Sequence, residues 1–369
     1  MPDEIIPGVF VDEGASPPPI AQLATDIAGF AGVAEPAGAE PPPADALTSA
    51  IEFSRYWSTA PVLAGGGPNV LWGAVQAFFE NGGRRLHVAA VDAANPDYPA
   101  AVAALGATDA AILAAPDVQV LYPGAAAATV AALVALAEPP GSNRFAILDA
   151  PPGLDIAGVR AWRGGFDTPA AALYWPWLRT LSGALVPPSA FVAGAMARCD
   201  IDRGVWKAPA DIELVGVGDL EALIDDAEQG LLNPDGTNAI RRFRGRGTRI
   251  WGARTLSRDP GWRYVPVRRL ASMIEASIAG GLGWTVFEPM APPLWQRVNG
   301  CVQAFMYDLW RNGAVLGDTP TKAFFVRCDA TTMTAADIAA GRVVVQVGYA
   351  PMKADEFLVL RITASAIPA

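Results

Sequence analysis

The sequence predicts an α/β fold: an open α/β sheet in a first unit, a mixed α/β second unit, and an extended strand-like arm at each end. Three observations predict it. Strand-like and helical runs alternate at short spacing through residues 26–148, the pattern of an open sheet with helices packed on it. The chain has 369 residues, more than one average domain needs. A stretch marked by Gly204, Trp206 and Pro209 interrupts the pattern, and a second succession of strands and helices follows. The expected division is an N-terminal arm (1–20), a first unit (21–203), a second unit (204–355) and a C-terminal arm (356–369).

In chain order, the arm comes first. Val9, Phe10 and Val11 form a short strand signal, and Pro17-Pro18-Pro19 behind them favours an extended spacer. With no nearby run to pair with, the segment is either a frayed terminus or a strand donated to another sheet. Residues 26–33 read as a buried strand. Asn69 caps a helix that runs to Glu80 with Leu71, Trp72, Val75, Phe78 and Phe79 on one face. Asn81-Gly82-Gly83 ends it, because the position after the last turn is left-handed and suits glycine. Residues 85–91 alternate as a strand that contains His87. Helices at 98–107 and 125–137 alternate with strands at 111–113 and 144–148. The aromatic run 172–177 is a further buried strand, and 190–200 is a helix.

Past residue 204, a strand at 212–217 leads into a helix at 220–229. Asn233-Pro234-Asp235-Gly236 is a strong turn signal, since proline presets one φ and glycine supplies a positive one. Strands at 239–243 and 250–253 flank the Gly245-Arg246-Gly247 turn. One amphipathic helix carries Val267, Leu270, Ile274 and Ile278, and another carries Trp295, Val298, Val302, Phe305 and Leu309, with a strand at 284–288 between them. Three β-prone runs close the chain at 323–327, 342–348 and 356–362. The last, with Phe357, Leu358, Val359, Leu360 and Ile362, either folds back on 342–348 as a hairpin or completes a sheet in a neighbouring subunit.

Composition removes several classes of chemistry. A single histidine cannot supply a His-rich metal site or an HExxH motif, and no GxSxG elbow, Walker loop or CxxC pair is present. No uninterrupted apolar run reaches the ~18 residues of a membrane helix. The start, Met1-Pro2-Asp3-Glu4, is acidic where a signal peptide is basic. Cys199, Cys301 and Cys328 lie far apart and read, with His87, as structural residues in a reducing compartment. Gly216-Val217-Gly218 after a strand is the best hint of a nucleotide binder, but the third glycine of the fingerprint is missing.

Charge is split along the chain. Residues 1–150 hold 16 acids and 4 bases; residues 151–369 hold 21 acids and 23 bases. Ten arginines and one acid fall between Arg241 and Arg269. Such a window either attracts an acidic part of another copy, binds nucleic acid, or pairs with acids inside its own fold. The net charge of −10 argues against nucleic acid.

The ordered text then carries a resemblance. Pro7-Gly8-Val9-Phe10-Val11-Asp12-Glu13, Phe78-Phe79-Glu80-Asn81-Gly82-Gly83-Arg84-Arg85, and the junction from Val186-Pro187-Pro188-Ser189 to Gly204-Val205-Trp206-Lys207-Ala208-Pro209-Ala210 resemble contractile-tail sheath proteins. So do Leu231-Leu232-Asn233-Pro234, Trp251-Gly252-Ala253-Arg254-Thr255-Leu256, Trp262-Arg263-Tyr264-Val265, Phe287-Glu288-Pro289, Phe324-Phe325-Val326-Arg327-Cys328-Asp329 and Phe357-Leu358-Val359-Leu360-Arg361-Ile362. The resemblance is to the sheaths of contractile phages, tailocins and extracellular contractile injection systems, over nearly the whole chain and in order.

It implies a two-domain structural subunit, with no enzymatic activity, cofactor or metal, that polymerises helically around an inner tube. The first domain would be the one called subtilisin-like in this family, a likeness of fold without the protease residues. Contraction from a metastable extended state would drive the tube through a target envelope. The implied partners are further copies of the chain, the tube protein, and baseplate and terminal cap proteins, with no nucleic acid and no direct membrane insertion. Assembly would occur in the cytoplasm as part of a phage tail or tail-like particle, with later release as an option. Val9–Val11 and 357–362 would be intersubunit strands. Arg297 and Arg311, then Arg268 and Arg269, would face the tube. The competing readings are an α/β nucleotide-binding enzyme and a nucleic-acid-binding protein using 241–269.

Overall fold

A computed structural model of the chain describes residues 17–62, 69–351 and 358–367. Val9, Phe10, Val11 and Phe357 lie outside the described residues. The elements begin with β1 (Ala28–Val33), α1 (Ala50–Tyr56), α2 (Val70–Glu80), β2 (Leu86–Val91), α3 (Tyr98–Ala104), β3 (Ile112–Ala114), α4 (Val118–Leu121), α5 (Ala126–Ala137) and β4 (Phe145–Leu148). There follow α6 (Ile156–Arg163), β5 (Ala171–Trp175), β6 (Leu178–Thr180), β7 (Leu185–Val186), α7 (Ser189–Arg203), β8 (Ile212–Glu213), β9 (Val217–Leu220), α8 (Asp226–Asp235), β10 (Thr237–Phe243) and β11 (Gly247–Ile250). The chain continues with α9 (Val265–Gly281), α10 (Pro292–Arg311), α11 (Pro320–Ala323), β12 (Phe324–Arg327), α12 (Ala335–Ala339), β13 (Arg342–Tyr349) and β14 (Leu358–Ser365).

An eight-stranded sheet organises the first part, in the order β2-β1-β3-β4-β5-β10-β11-β8. It is parallel from β2 to β10 and antiparallel from β10 to β8. Strands of a parallel sheet are covered on both faces, which is why β1, β4 and β5 are apolar without interruption and wholly buried. Phe30, Ile112, Phe145 and Tyr174 pack on one face against α2 and α7. Ala31, Leu113, Leu148 and Leu173 pack on the other against α3, α5, α6 and α8. Each large side chain buried this way contributes about 1.5–3 kcal/mol. A small sheet, β7-β6-β9, flanks it.

α2 starts where the sequence puts it: Asn69 Oδ1 accepts the Trp72 amide at 2.9 Å. The strands expected at 85–91, 111–113 and 144–148 and the helices at 98–107, 125–137 and 190–200 are present within a few residues. The division expected at 204 does not coincide with the edge of the first sheet. β8, β10 and β11 follow that residue, yet Thr237, Asn238 and Ala239 pair in parallel with Leu173, Tyr174 and Trp175.

Three local expectations are corrected. Residues 220–229 are not one helix: Leu220 ends β9, opposite Leu178, and α8 starts at Asp226. Asp225 and Glu228 form a capping box that fixes the start there. Asn233-Pro234-Asp235 is the last turn of α8 rather than a free turn, and Gly236, at φ +89°, is its left-handed cap. Residues 283–287 form a 3₁₀ turn rather than a strand, with the Thr285 hydroxyl within hydrogen-bond reach of the carbonyls of Leu282 and Ser365.

A second core forms between α9, α10 and the sheet β12-β13-β14. Leu270, Ile274 and Ile278 of α9 meet Val298, Val302 and Phe305 of α10 and Val343, Val345, Val347, Leu360 and Ile362 of the sheet. The stretch from Val265 to Phe287 is long and apolar enough to cross a membrane by composition, and over half of it is buried in this core. His87 lies in β2 with Nε2 2.6 Å from Asp109 Oδ1. Cys199 and Cys328 are buried, and burial, aided by Asp329, pushes the Cys328 thiol up to about 12.

Candidate assembly surfaces

The C-terminal strand β14 forms one edge of the sheet β12-β13-β14. β14 pairs antiparallel with β13 of the same chain, from Leu358 opposite Tyr349 to Ser365 opposite Arg342. Alternation sets its faces. Leu360 and Ile362 enter the second core, while Val359 on the opposite face is 53% exposed. β12 occupies the far side of β13, so β12 and β14 are the two edge strands of this sheet. Gly348 of β13 has a packing reason: a Cβ there would lie 2.1 Å from the Phe325 ring of β12. The strand therefore joins the sheet formed by the runs at 323–327 and 342–348, with all three strands supplied by one chain.

α10 presents a second surface. Its apolar positions are buried, and its outer stripe carries Gln296, Gln303, Tyr307 and Arg311. Arg297 sits beside that stripe. Its guanidinium lies 4.7 Å over the Trp284 ring, and Nη1 is 3.0 Å from Glu288 Oε2, so it is held in place while part of it reaches solvent. Next to it, Phe287 is 83% exposed, with Val286 and Ile367 also exposed. Sequence reasoning missed this apolar patch; the motif Phe287-Glu288-Pro289 was its only signal.

Arg268 and Arg269, expected as runner-up tube contacts, are both buried. Arg269 is in an ion pair with Asp200 inside the chain, and Arg268 stacks 5.1 Å over Trp262. The reason is helical phase. α9 is covered almost all round, so positions that resemble a solvated face in sequence point inward.

The N-terminal part of the arginine-rich window is largely neutralised by its own fold. Arg241 pairs with Asp226 at 2.8 Å and Arg242 with Asp219 at 3.0 Å. Arg246 and Arg249 share Asp211 at 2.7 and 3.2 Å, and the Arg246 guanidinium also lies over Phe243 and Trp251. A basic stripe for phosphate along 241–249 needs unpaired charge, and Arg241, Arg242, Arg246 and Arg249 have partners. Gly216 and Gly218 precede and enter the strand β9, not a helix N-terminus, so they form no phosphate cradle. Among the described residues, no group of three or more His, Cys, Asp or Glu is placed to hold a metal ion.

Comparison with known proteins identifies the family. The phage tail sheath protein central domain matches residues 92–256, and the phage tail sheath C-terminal domain matches residues 257–365. A cryo-EM structure of the anti-feeding prophage (AFP) helical sheath in its contracted state superposes with a TM-score of 0.76 at 31% identity, covering 96% of this chain and 98% of that one. The sheath complex of PVC, an extracellular contractile injection system, in its contracted state superposes with a TM-score of 0.74 at 31% identity, covering 98% of each chain. A prophage major tail sheath protein of Pseudomonas aeruginosa is 30% identical over 210 residues, 54% of this chain and 52% of that protein. The chain spans about half the length of the phage and prophage relatives it matches. Together, the two matched domains and the whole-chain likeness place this protein in the contractile phage tail sheath family.

Proposed function

We propose that this chain is the structural subunit of a contractile sheath. It polymerises helically around an inner tube and falls from a metastable extended arrangement to a contracted one, driving the tube through a target envelope. The observation that carries this reading is the likeness, over nearly the full length of both chains, to the AFP and PVC sheath subunits in their contracted states. Contraction of this kind needs no nucleotide or catalytic residue. Each subunit rotates as a rigid body, and the fall in free energy comes from surface newly buried between subunits.

Such a polymer needs links that survive the rotation. In this reading Val9–Val11 and the 357–362 run supply them as strands added to neighbouring sheets, since backbone ladders hold while side-chain contacts exchange. The β12-β13 sheet is the acceptor, because it is the sheet that β14 completes here. The α10 face with Arg297 and Arg311 lies toward the tube, and baseplate and cap proteins close the ends. Assembly takes place in the cytoplasm as part of a phage tail or tail-like particle. The test is electron microscopy of the purified protein, alone and co-expressed with its tube protein. Hollow helical cylinders are the expected result; dispersed monomers under both conditions would overturn the reading.

A further inference from the structure

A pocket of about 370 Å³ opens between the C-terminal ends of α6 and α8 and the segment 255–263. Its charged lining is Arg160, Arg163, Arg258, Arg263 and a single acid, Asp235. Part of that positive charge serves the fold. Arg160 Nε donates to Asp235, Arg258 Nη2 donates to the Gly164 carbonyl at 2.9 Å, and the Arg258 amide donates to Asp167. The two helix ends contribute partial negative charge as well. These contributions leave the pocket positive.

Arg163 is the unusual member. It is 5% exposed, and its Nη1 and Nη2 donate to the carbonyls of Phe166 and Leu256 at 2.8 and 2.9 Å. Nε is buried without a hydrogen-bond partner, and no carboxylate pairs with the guanidinium among the described residues. A buried charge ordinarily has an opposite charge against it, because desolvation otherwise costs several kcal/mol. Here its hydrogen-bond partners are neutral carbonyls, and the Asp235 and Asp167 carboxylates act on it only from a distance. Burial first, and the Arg258 charge second, disfavour its charged form, against smaller support from Asp235 and Asp167. Gly236 also lines the pocket, and a Cβ there would sit 3.3 Å from Arg163 Nε, so the missing side chain leaves this edge of the guanidinium uncovered by the cap of α8.

We infer that this pocket is an oxyanion site, taking a phosphate-like anion or a carboxylate against Arg163, Arg258 and Arg263. Guanidinium groups converging from different elements match the spread of oxygens on such an anion, and the residual charge is the part the fold does not neutralise. Two sources supply this chemistry: a free anion, or an acidic side chain of a neighbouring copy. The second source rests on the polymer proposed above; the first does not.

The test uses the unassembled full chain with inorganic phosphate, against potassium chloride at equal ionic strength. Phosphate is expected to raise the melting temperature in a saturable way that chloride does not reproduce. Arg263→Gln and Arg258→Gln, which leave Arg163 and its carbonyl contacts in place, are each expected to weaken phosphate binding about tenfold, the loss of one charge-assisted contact. Equal stabilisation by chloride, or undiminished phosphate binding by both variants, would overturn the site and mean an adventitious ion only. A second arm follows assembly by light scattering. Competition by phosphate in the wild type, with impaired assembly of Arg263→Gln, assigns the occupant to a neighbouring copy; assembly indifferent to both assigns it to a free anion. Because binding is read on single subunits, a failure to form sheaths leaves that result standing.

Discussion

Arg269 of α9 and Asp200 of α7 face each other through two contacts, Nη1 to Oδ1 at 2.9 Å and Nη2 to Oδ2 at 2.6 Å, with both side chains almost completely buried. Nη2 also donates to the Thr25 carbonyl at 2.8 Å, so one guanidinium ties together the segment leading into β1, the first sheet's helical layer and the second core. Removing only the arginine strands a carboxylate out of water. Arg269→Met is expected to cost about 3–5 kcal/mol, and adding Asp200→Leu to recover much of it. Denaturant unfolding of the single and double variants measures both.

Asp149 and Asp117 are buried acids beyond the C-terminal ends of β4 and β3. Asp149 Oδ1 accepts the Ser189 amide at 3.0 Å, and Asp117 accepts the Val33 amide and the Tyr98 hydroxyl. Burial dominates these hydrogen bonds and raises Asp149 to about 7 and Asp117 to about 6. The folded form therefore holds protons that the unfolded chain, with carboxyls near 3.9, releases first. Their contribution to stability is fully present below about pH 4 and is lost as pH rises toward 7. Unfolding midpoints from pH 4.5 to 8 are expected to show that decline, and Asp149→Asn to flatten its upper part.

Truncation after Asp355 removes β14 and with it Leu360 and Ile362 from the second core. The expected result is an unfolded or sticky second unit, seen as increased binding of an apolar dye, together with loss of polymerisation. Leu360→Ala alone is expected to cost about 2–5 kcal/mol by leaving a cavity.

Charge reversal at Arg297 breaks its pair with Glu288 and its stacking on Trp284. The pair is partly exposed, so the stability cost is expected to be only about 1 kcal/mol. Combined with Arg311→Glu, it is expected to reduce co-sedimentation with the tube protein. Unchanged co-sedimentation would exclude this face of α10.

Local signals were legible where a few adjacent residues decide the outcome. The Asn69 cap, the Gly82 stop, the apolar strands of the first sheet and both long helices of the second unit follow from patterns within about ten residues. The closure of the sheet was not legible, because Thr237 reaches Leu173 across 64 positions of sequence and nothing near either residue states the pairing. Arg268 and Arg269 failed for a related reason. A helix covered by several elements buries positions that a single amphipathic stripe leaves wet, and Asp200, the partner that makes such burial tolerable, lies on another helix. The arginine window was legible only as alternatives, since the acids that neutralise it come from 211, 219 and 226.

The register between β13 and β14 has one more consequence. Eight opposed pairs, Leu358 with Tyr349 through Ser365 with Arg342, define the ladder, and none of them depends on a covalent connection between the two strands. The choice between a strand from the same chain and one from a second chain is thus a question of mass action. A tethered strand is present at an effective concentration set by the length of its connection, on the order of millimolar for a short flexible one. Dilute subunits fill their own sheets by that advantage. In the polymer proposed above, a neighbour's strand would be held nearby as well, the advantage would disappear, and the same hydrogen bonds that close one molecule would be available to join two.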